Sequence, residues 1–134
     1  VVPNTGLRGR WETLSRDPLT IADVAHNADG IAAVLRMLEA YRDKPLHIVL
    51  GMVADKDIGR VLALLPKDAT YHFCKADIPR GLEAAQLAEQ ARSYSLKGNV
   101  HGSVRSALEA AQAQVEPQGL VLVTGSVFVV AEVL

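Results

Sequence analysis

The octapeptide Asp23-Val24-Ala25-His26-Asn27-Ala28-Asp29-Gly30 sets an acid, an imidazole and an amide between the apolar run Leu19-Thr20-Ile21-Ala22 and a segment of helical period. A carboxylate accepts from hydroxyls or backbone N–H groups, and an imidazole donates in either protonation state. A helix start also offers N–H groups to an anion. Taken singly, His26 reads as a hydrogen-bonded loop histidine and Asp23 as a turn or cap residue. Together at one strand-to-helix handover, they point to an anion or nucleotide contact.

Four further handovers, "GMVADKD", "CKADIPRG", "HGSV" and "TGSV", are equally rich in Gly, Asp, His, Lys or Ser. The connections of the opposite sense, such as "YRDKP" and "EPQG", read as solvated turns. If the strands are parallel, all five polar handovers share the carboxyl edge of one sheet, where open α/β folds bind their ligands.

The elements behind these handovers alternate. Ile31, Val34, Leu35 and Leu38 follow i, i+3, i+4, i+7 and predict a helix of about four turns, capped by Asn27 or Asp29. Leu46–Leu50 predicts a buried strand ending at Gly51. A helix marked by Ile58, Val61, Leu62 and Leu65 follows and stops at Pro66. Residues 69–73 predict a third strand, Ala84, Leu87, Ala88 and Ala91 a helix, residues 99–101 a short strand, and Val104, Ala107, Leu108, Ala111 and Val115 another helix. Residues 120–123 close the sheet and lead through Thr124-Gly125-Ser126 into a last apolar segment, while residues 11–15 form an edge strand before an Asp17-Pro18 turn. The expected fold is α/β: a three-layer Rossmann-like domain whose mostly parallel sheet of about six strands has one antiparallel edge strand and helices on both faces.

Composition sets the outer bounds. At 134 residues, 49% of them hydrophobic, the chain matches one domain that buries roughly two thirds of its unfolded surface. No linker or repeat divides it, so residues 1–134 are expected to form one unit. Fourteen basic residues against fifteen acidic ones leave a charge of -1 with no run of like charge, which argues against nucleic-acid and membrane-surface partners. The lone Cys74 cannot form an internal disulfide, and His101 shares no metal-ligand spacing with it. With neither a leader nor an apolar span, a cytoplasmic location is expected. The opening "VVPNTG" and the apolar close "VFVVAEVL" read as a piece of a longer protein.

The residues "DVAHN" resemble the Asp-x-Ala-His-Asn signature in the C-terminal domain of the Mur ligase superfamily, and the wider match points to its folylpolyglutamate synthase/dihydrofolate synthase branch. Gly9-Arg10-Trp11-Glu12 resembles that family's Gly-Arg-x-Glu element. Gly51-Met52 with Asp55-Lys56-Asp57 resembles its "GM…DKD" turn, and Thr124-Gly125-Ser126 its "TGS" before the final helix. Two features depart from the family. Ala28 stands where a proline often follows "HN", a mild loss at a first helical position. No Gly-x-x-x-x-Gly-Lys-Thr/Ser phosphate loop occurs anywhere in the chain, and the family carries that loop on a larger N-terminal ATPase domain.

The resemblance implies an ATP-dependent ligase that phosphorylates a folate-type carboxylate and joins it, through the acyl phosphate, to the amino group of L-glutamate. ATP and Mg2+ would be needed by the full-length enzyme, with the metal ligands on the N-terminal domain, and this chain alone would be inactive. The implied partners are ATP, L-glutamate, a folate or dihydropteroate substrate and the ATPase domain. By carry-over, Arg10 would contact the nucleotide phosphates, Asp23 would bind the nucleotide through ribose hydroxyls, and His26 would face the glutamate or the reaction centre as the catalytic residue. Ser126 would bind a glutamate carboxylate or simply cap the last helix, since both need the same geometry. Lys56, between two acids, reads as an exposed or ion-paired side chain.

Besides an interaction domain that merely resembles the ligase, two other readings compete. One is the peptidoglycan branch of the same superfamily, which the "GM…DKD" turn disfavours. The other is a non-catalytic Rossmann-like module for a nucleotide or amino acid, and for a dinucleotide the Gly-x-Gly-x-x-Gly turn is missing after every strand.

Overall fold

A computed structural model describes residues 9–54 and 57–134. Its six strands, β1 (Glu12–Arg16), β2 (Leu19–Ala22), β3 (Leu46–Leu50), β4 (Thr70–Phe73), β5 (Lys97–Val100) and β6 (Leu120–Thr124), form one sheet in the order β1-β2-β6-β3-β4-β5. Every pairing is parallel except β1 with β2.

The helices are α1 (Ala28–Leu38), extended by a 3-10 turn at Glu39–Tyr41, α2 (Ile58–Leu64), α3 (Ala84–Arg92), α4 (Val104–Gln114) and α5 (Val127–Ala131). Strand alternation divides the core in two. Ile21, Ile48, Leu50, Tyr71, Phe73, Leu120 and Leu122 face one way and pack with the apolar stripes of α1, α2 and α3. Ala22, Val49, Cys74, Val121 and Val123 face the other way, against α4 and α5. This is the expected three-layer arrangement, with the antiparallel strand at the edge.

Asn27 caps α1 by accepting from the Gly30 N–H at 2.8 Å, which settles the choice between Asn27 and Asp29. Ser103 and Ser106 form a reciprocal capping box at the start of α4. The strand expected at residues 99–101 begins earlier, at Lys97, and all four residues of β5 are exposed. An edge strand is held by ladder bonds to one neighbour and needs no apolar side chains, so hydrophobicity did not mark its start. The ladder carries on to the His101 N–H, which donates to the Phe73 carbonyl at 2.9 Å.

Candidate active site

Four sequence blocks that lie far apart in the chain are tied together around the turn that follows β2. The Gly9-Arg10-Trp11-Glu12 segment folds on itself: the Gly9 N–H donates to Glu12 Oε1 at 2.9 Å, with Gly9 at φ 80° and Trp11 at φ 49°. It docks on the β2 exit through two bonds, Val24 N–H to the Gly9 carbonyl at 2.7 Å and Trp11 N–H to Asp23 Oδ2 at 2.9 Å. The second Asp23 oxygen accepts from Ala25 N–H at 2.9 Å. Asp23 is thus the tie between the arginine loop and the histidine loop, a role in which a carboxylate bonds more strongly than a neutral acceptor.

The "TGS" block closes the other side. Thr124 Oγ1 donates to the Asp23 carbonyl at 2.8 Å, and Gly125 N–H donates to the Ala25 carbonyl at 3.1 Å. Gly125 sits at φ 110°, and a Cβ there would strike the Gly51 carbonyl. At Gly51 a Cβ would come within 2.7 Å of Val129 Cγ2 and 2.9 Å of the Cys74 carbonyl. Gly125 is therefore set by the close approach of the β3 end, and Gly51 by that of α5 and the β4 end. From the "DKD" block, Asp57 Oδ2 accepts from Ala28 N–H at 3.2 Å, binding the start of α2 to the start of α1. Asp55 and Lys56 lie outside the described residues.

These ties shape a cleft of about 360 Å³ at the carboxyl edge, lined by Arg10, Asp23, His26 and Asn27 and walled by Ala33, Val34 and Met37 of α1. Three of the four residues singled out in the sequence thus meet in one place. Arg10 is exposed and makes no hydrogen bond or ion pair among the described residues, so its guanidinium is available to an anion. His26 is exposed, and its Nδ1 lies 3.3 Å from the Val24 carbonyl, which makes Nδ1 the donor and turns Nε2 outward.

Ser126 lies apart. It is 2% exposed, caps α5 by accepting from Phe128 N–H at 3.0 Å, and does not line the cleft, so its geometry is that of the cap. Among the described residues no three His, Cys, Asp or Glu side chains converge as metal ligands. A second cleft of about 330 Å³ opens among Leu35, Leu38, Tyr41, Leu64 and Pro66 and holds none of the motif residues.

His26 and Asp23 are separable by experiment. Because His26 is exposed and makes one long hydrogen bond, His26→Ala is expected to change unfolding free energy by less than about 0.5 kcal/mol in urea denaturation. Sequence reasoning missed Asp57 as a clasp on α1 and the α1 wall of the cleft. Asp57 stood within a quoted motif, but nothing local showed that its partner lies 29 residues earlier.

The family described as "Mur ligase, glutamate ligase domain" matches residues 9–127. A probable bifunctional folylpolyglutamate synthase/dihydropteroate synthase of Haloferax volcanii is 38% identical over 125 residues, which cover 92% of this chain and 15% of that protein. The dihydrofolate synthase/folylpolyglutamate synthase of Escherichia coli is 35% identical over 130 residues, 96% of this chain and 30% of that one. The crystal structure of the Yersinia pestis bifunctional folylpolyglutamate synthase/dihydrofolate synthase complexed with AMPPNP and Mn ion superposes with a TM-score of 0.85 at 33% identity, covering 95% of this chain and 30% of that one. The chain thus spans less than a third of the length of each of these proteins.

Proposed function

The chain belongs to the Mur ligase family as its glutamate ligase domain, and from that premise we propose that it is the C-terminal part of an ATP-dependent folylpolyglutamate synthase, which also acts as a dihydrofolate synthase. The observation that carries this reading is the convergence of Arg10, Asp23 and His26 on one cleft at the carboxyl edge, built by the same four blocks that define the resemblance. The reaction joins a folate-type or dihydropteroate-type carboxylate to the amino group of L-glutamate. ATP phosphorylates the carboxylate, the amine attacks the acyl phosphate, and phosphate leaves.

In this chain Arg10 meets the nucleotide phosphates, for which a permanent charge on an exposed fork is suited. Asp23 keeps lone pairs on both oxygens beyond its two backbone bonds, and these accept from ribose hydroxyls. Ala33, Val34 and Met37 offer the nucleotide an apolar wall. His26 turns Nε2 toward the glutamate or the reaction centre, where it orients the incoming amino acid. Ser126 contributes to the glutamate end by holding the "TGS" turn through its cap.

Mg2+ would neutralise the triphosphate. By the family resemblance, its ligands, the phosphate loop and most of the folate site belong to an N-terminal ATPase domain. Dividing the donors between two domains lets closure assemble the site and keep water from the acyl phosphate. Among the described residues no helix is long and apolar enough to cross a membrane. An ATP-consuming ligase of this kind works in the cytoplasm, on small molecules and without nucleic acid.

The coding sequence upstream of Val1 tests the reading first. A phosphate loop within the preceding few hundred codons supports it, and a start codon without one would sink it in favour of a binding module. In the intact protein, ADP release that requires both glutamate and a folate-type acceptor is expected, and His26→Ala is expected to lower its rate by roughly 10²-fold. The 134 residues alone are expected to release no ADP under the same conditions. Turnover by the isolated chain would show that it holds more of the site than proposed.

A further inference from the structure

Three strands carry a histidine each to one line of contact. His47 of β3 and His72 of β4 alternate with Val49 and Cys74, so both point to the α4 side of the sheet, and His101 follows β5. In register, Val49 pairs with His72 and His72 with Asn99, so His47, His72 and His101 run diagonally across three neighbouring strands. His47 Nδ1 lies 2.9 Å from His72 Nε2, and His72 Nδ1 lies 3.1 Å from His101 Nε2. His72 is fully buried, His47 is 7% exposed and His101 is half-buried. At the inner end, Glu116 of the turn after α4 holds Oε1 3.8 Å from His47 Nε2.

A metal does not suit this line. The two contacts use opposite nitrogens of His72, so no single point lies near one nitrogen of each ring. A proton does suit it. Each N···N contact holds one hydrogen, and three neutral imidazoles bring three. The third sits at an end, and the Glu116 carboxylate draws it to His47 Nε2, which makes all three rings the Nε2–H tautomer. A fourth proton fits on His101 Nδ1 with both contacts intact. A fifth would put two hydrogens into one contact of about 3 Å, so that contact must open.

We propose that His47, His72 and His101 form an acid-responsive clasp on the β5 edge: the chain of rings takes one proton intact, and a second releases β5 from β4. The release falls on β5 because it is the edge strand, its four residues are all exposed, and the outer ring follows it directly. Burial lowers the affinity of His47 for a proton, and burial and then its two neighbours lower that of His72 to about 4. Glu116 acts on His47 in the opposite sense. On this face of the sheet the other titratable groups of the packed elements are Arg105 and Glu109 of α4 and Lys97 of β5, all exposed, and the Cys74 thiol, which burial keeps neutral; Tyr71 of β4 faces the opposite side. Because the folded chain resists protonation where the unfolded chain accepts it below about pH 6.5, the clasp is intact at neutral pH and weakens as pH falls toward 4.

Nitrogen NMR of the labelled imidazoles, with amide hydrogen-exchange protection factors, tests this on the 134-residue chain. As pH falls from neutral, the three rings are expected to respond as one unit with a shared midpoint, starting from the Nε2–H tautomer. As pH falls further toward 4, protection of the β5 amides and His101 is expected to fall at least about tenfold at a pH where β3 and β6 stay protected. His101→Ala, at a half-buried position that tolerates the change, is expected to abolish the shared midpoint and make β5 protection independent of pH in this range. Rings that titrate separately and ignore His101→Ala would overturn the proposal. So would loss of protection in β5, β3 and β6 at one and the same pH.

Discussion

Asp23→Ala in the intact enzyme is expected to lower the rate of amide formation by roughly 10²–10³-fold and to cost about 2 kcal/mol of stability as well. Both effects come from one side chain. Its two oxygens accept from Trp11 N–H and Ala25 N–H, and removing them leaves two part-buried donors unpaired. The Gly9-Arg10-Trp11-Glu12 loop then loses its side-chain tie to the β2 exit and is held beside Arg10 by the Val24 N–H to Gly9 carbonyl bond, so Arg10 is placed less firmly in the cleft. Steady-state kinetics alongside urea denaturation measure the two effects. The expected signature is a raised KM for ATP with a lowered kcat, because the proposed ribose contact of Asp23 and the proposed phosphate contact of Arg10 both suffer. Asp23→Asn, which keeps one acceptor oxygen, is expected to fall between wild type and Asp23→Ala in stability. A wild-type rate in a destabilised Asp23→Ala enzyme would reduce Asp23 to a loop tie alone.

Gly125→Ala is expected to lower stability by about 3 kcal/mol and the melting temperature by about 10 °C. At φ 110° an L side chain is strained whatever the space around it. Here the space is also taken, by the Gly51 carbonyl and by Leu50 Cδ1 at 2.9 Å. Relief by moving the turn would pull Gly125 N–H off the Ala25 carbonyl and Thr124 Oγ1 off the Asp23 carbonyl, so the damage reaches the cleft. Thermal melting of the chain measures it. A shift within about 2 °C would mean that the β3 and β6 ends can separate without cost, contrary to the packing described.

The glycine illustrates how unevenly the site was legible. "TGS" and "GM" stood out in the sequence as motif blocks, yet nothing local explained why each needs glycine. The reason lies in neighbours distant in the chain: the Gly51 carbonyl and Leu50 take the room at Gly125, while Val129 of α5 and the Cys74 carbonyl take it at Gly51. Ser126 shows the converse. Its type suited both a cap and a carboxylate contact, and only the structure shows the cap, with Phe128 N–H donating to its hydroxyl at 3.0 Å. The line of three histidines was illegible for a third reason. No spacing links positions 47, 72 and 101 until strand order makes them adjacent.

The periods of 2 and 3.6, the cap offered by Asn27 or Asp29 and the handovers carried the α/β class, the helix faces and the position of the cleft residues, because those signals depend on neighbours a few positions away. The order β1-β2-β6-β3-β4-β5 is a different kind of fact. It brings β6 in between β2 and β3, and so joins Thr124 to Asp23 across 101 residues and packs Gly125 against Gly51. Long-range hydrogen bonds and steric exclusions of this sort have no local signature. The sequence alone determined which groups are available for chemistry at the carboxyl edge, and the tertiary structure decided that Asp23 holds the arginine loop, that Ser126 caps α5 and that three imidazoles stand in one line of contact.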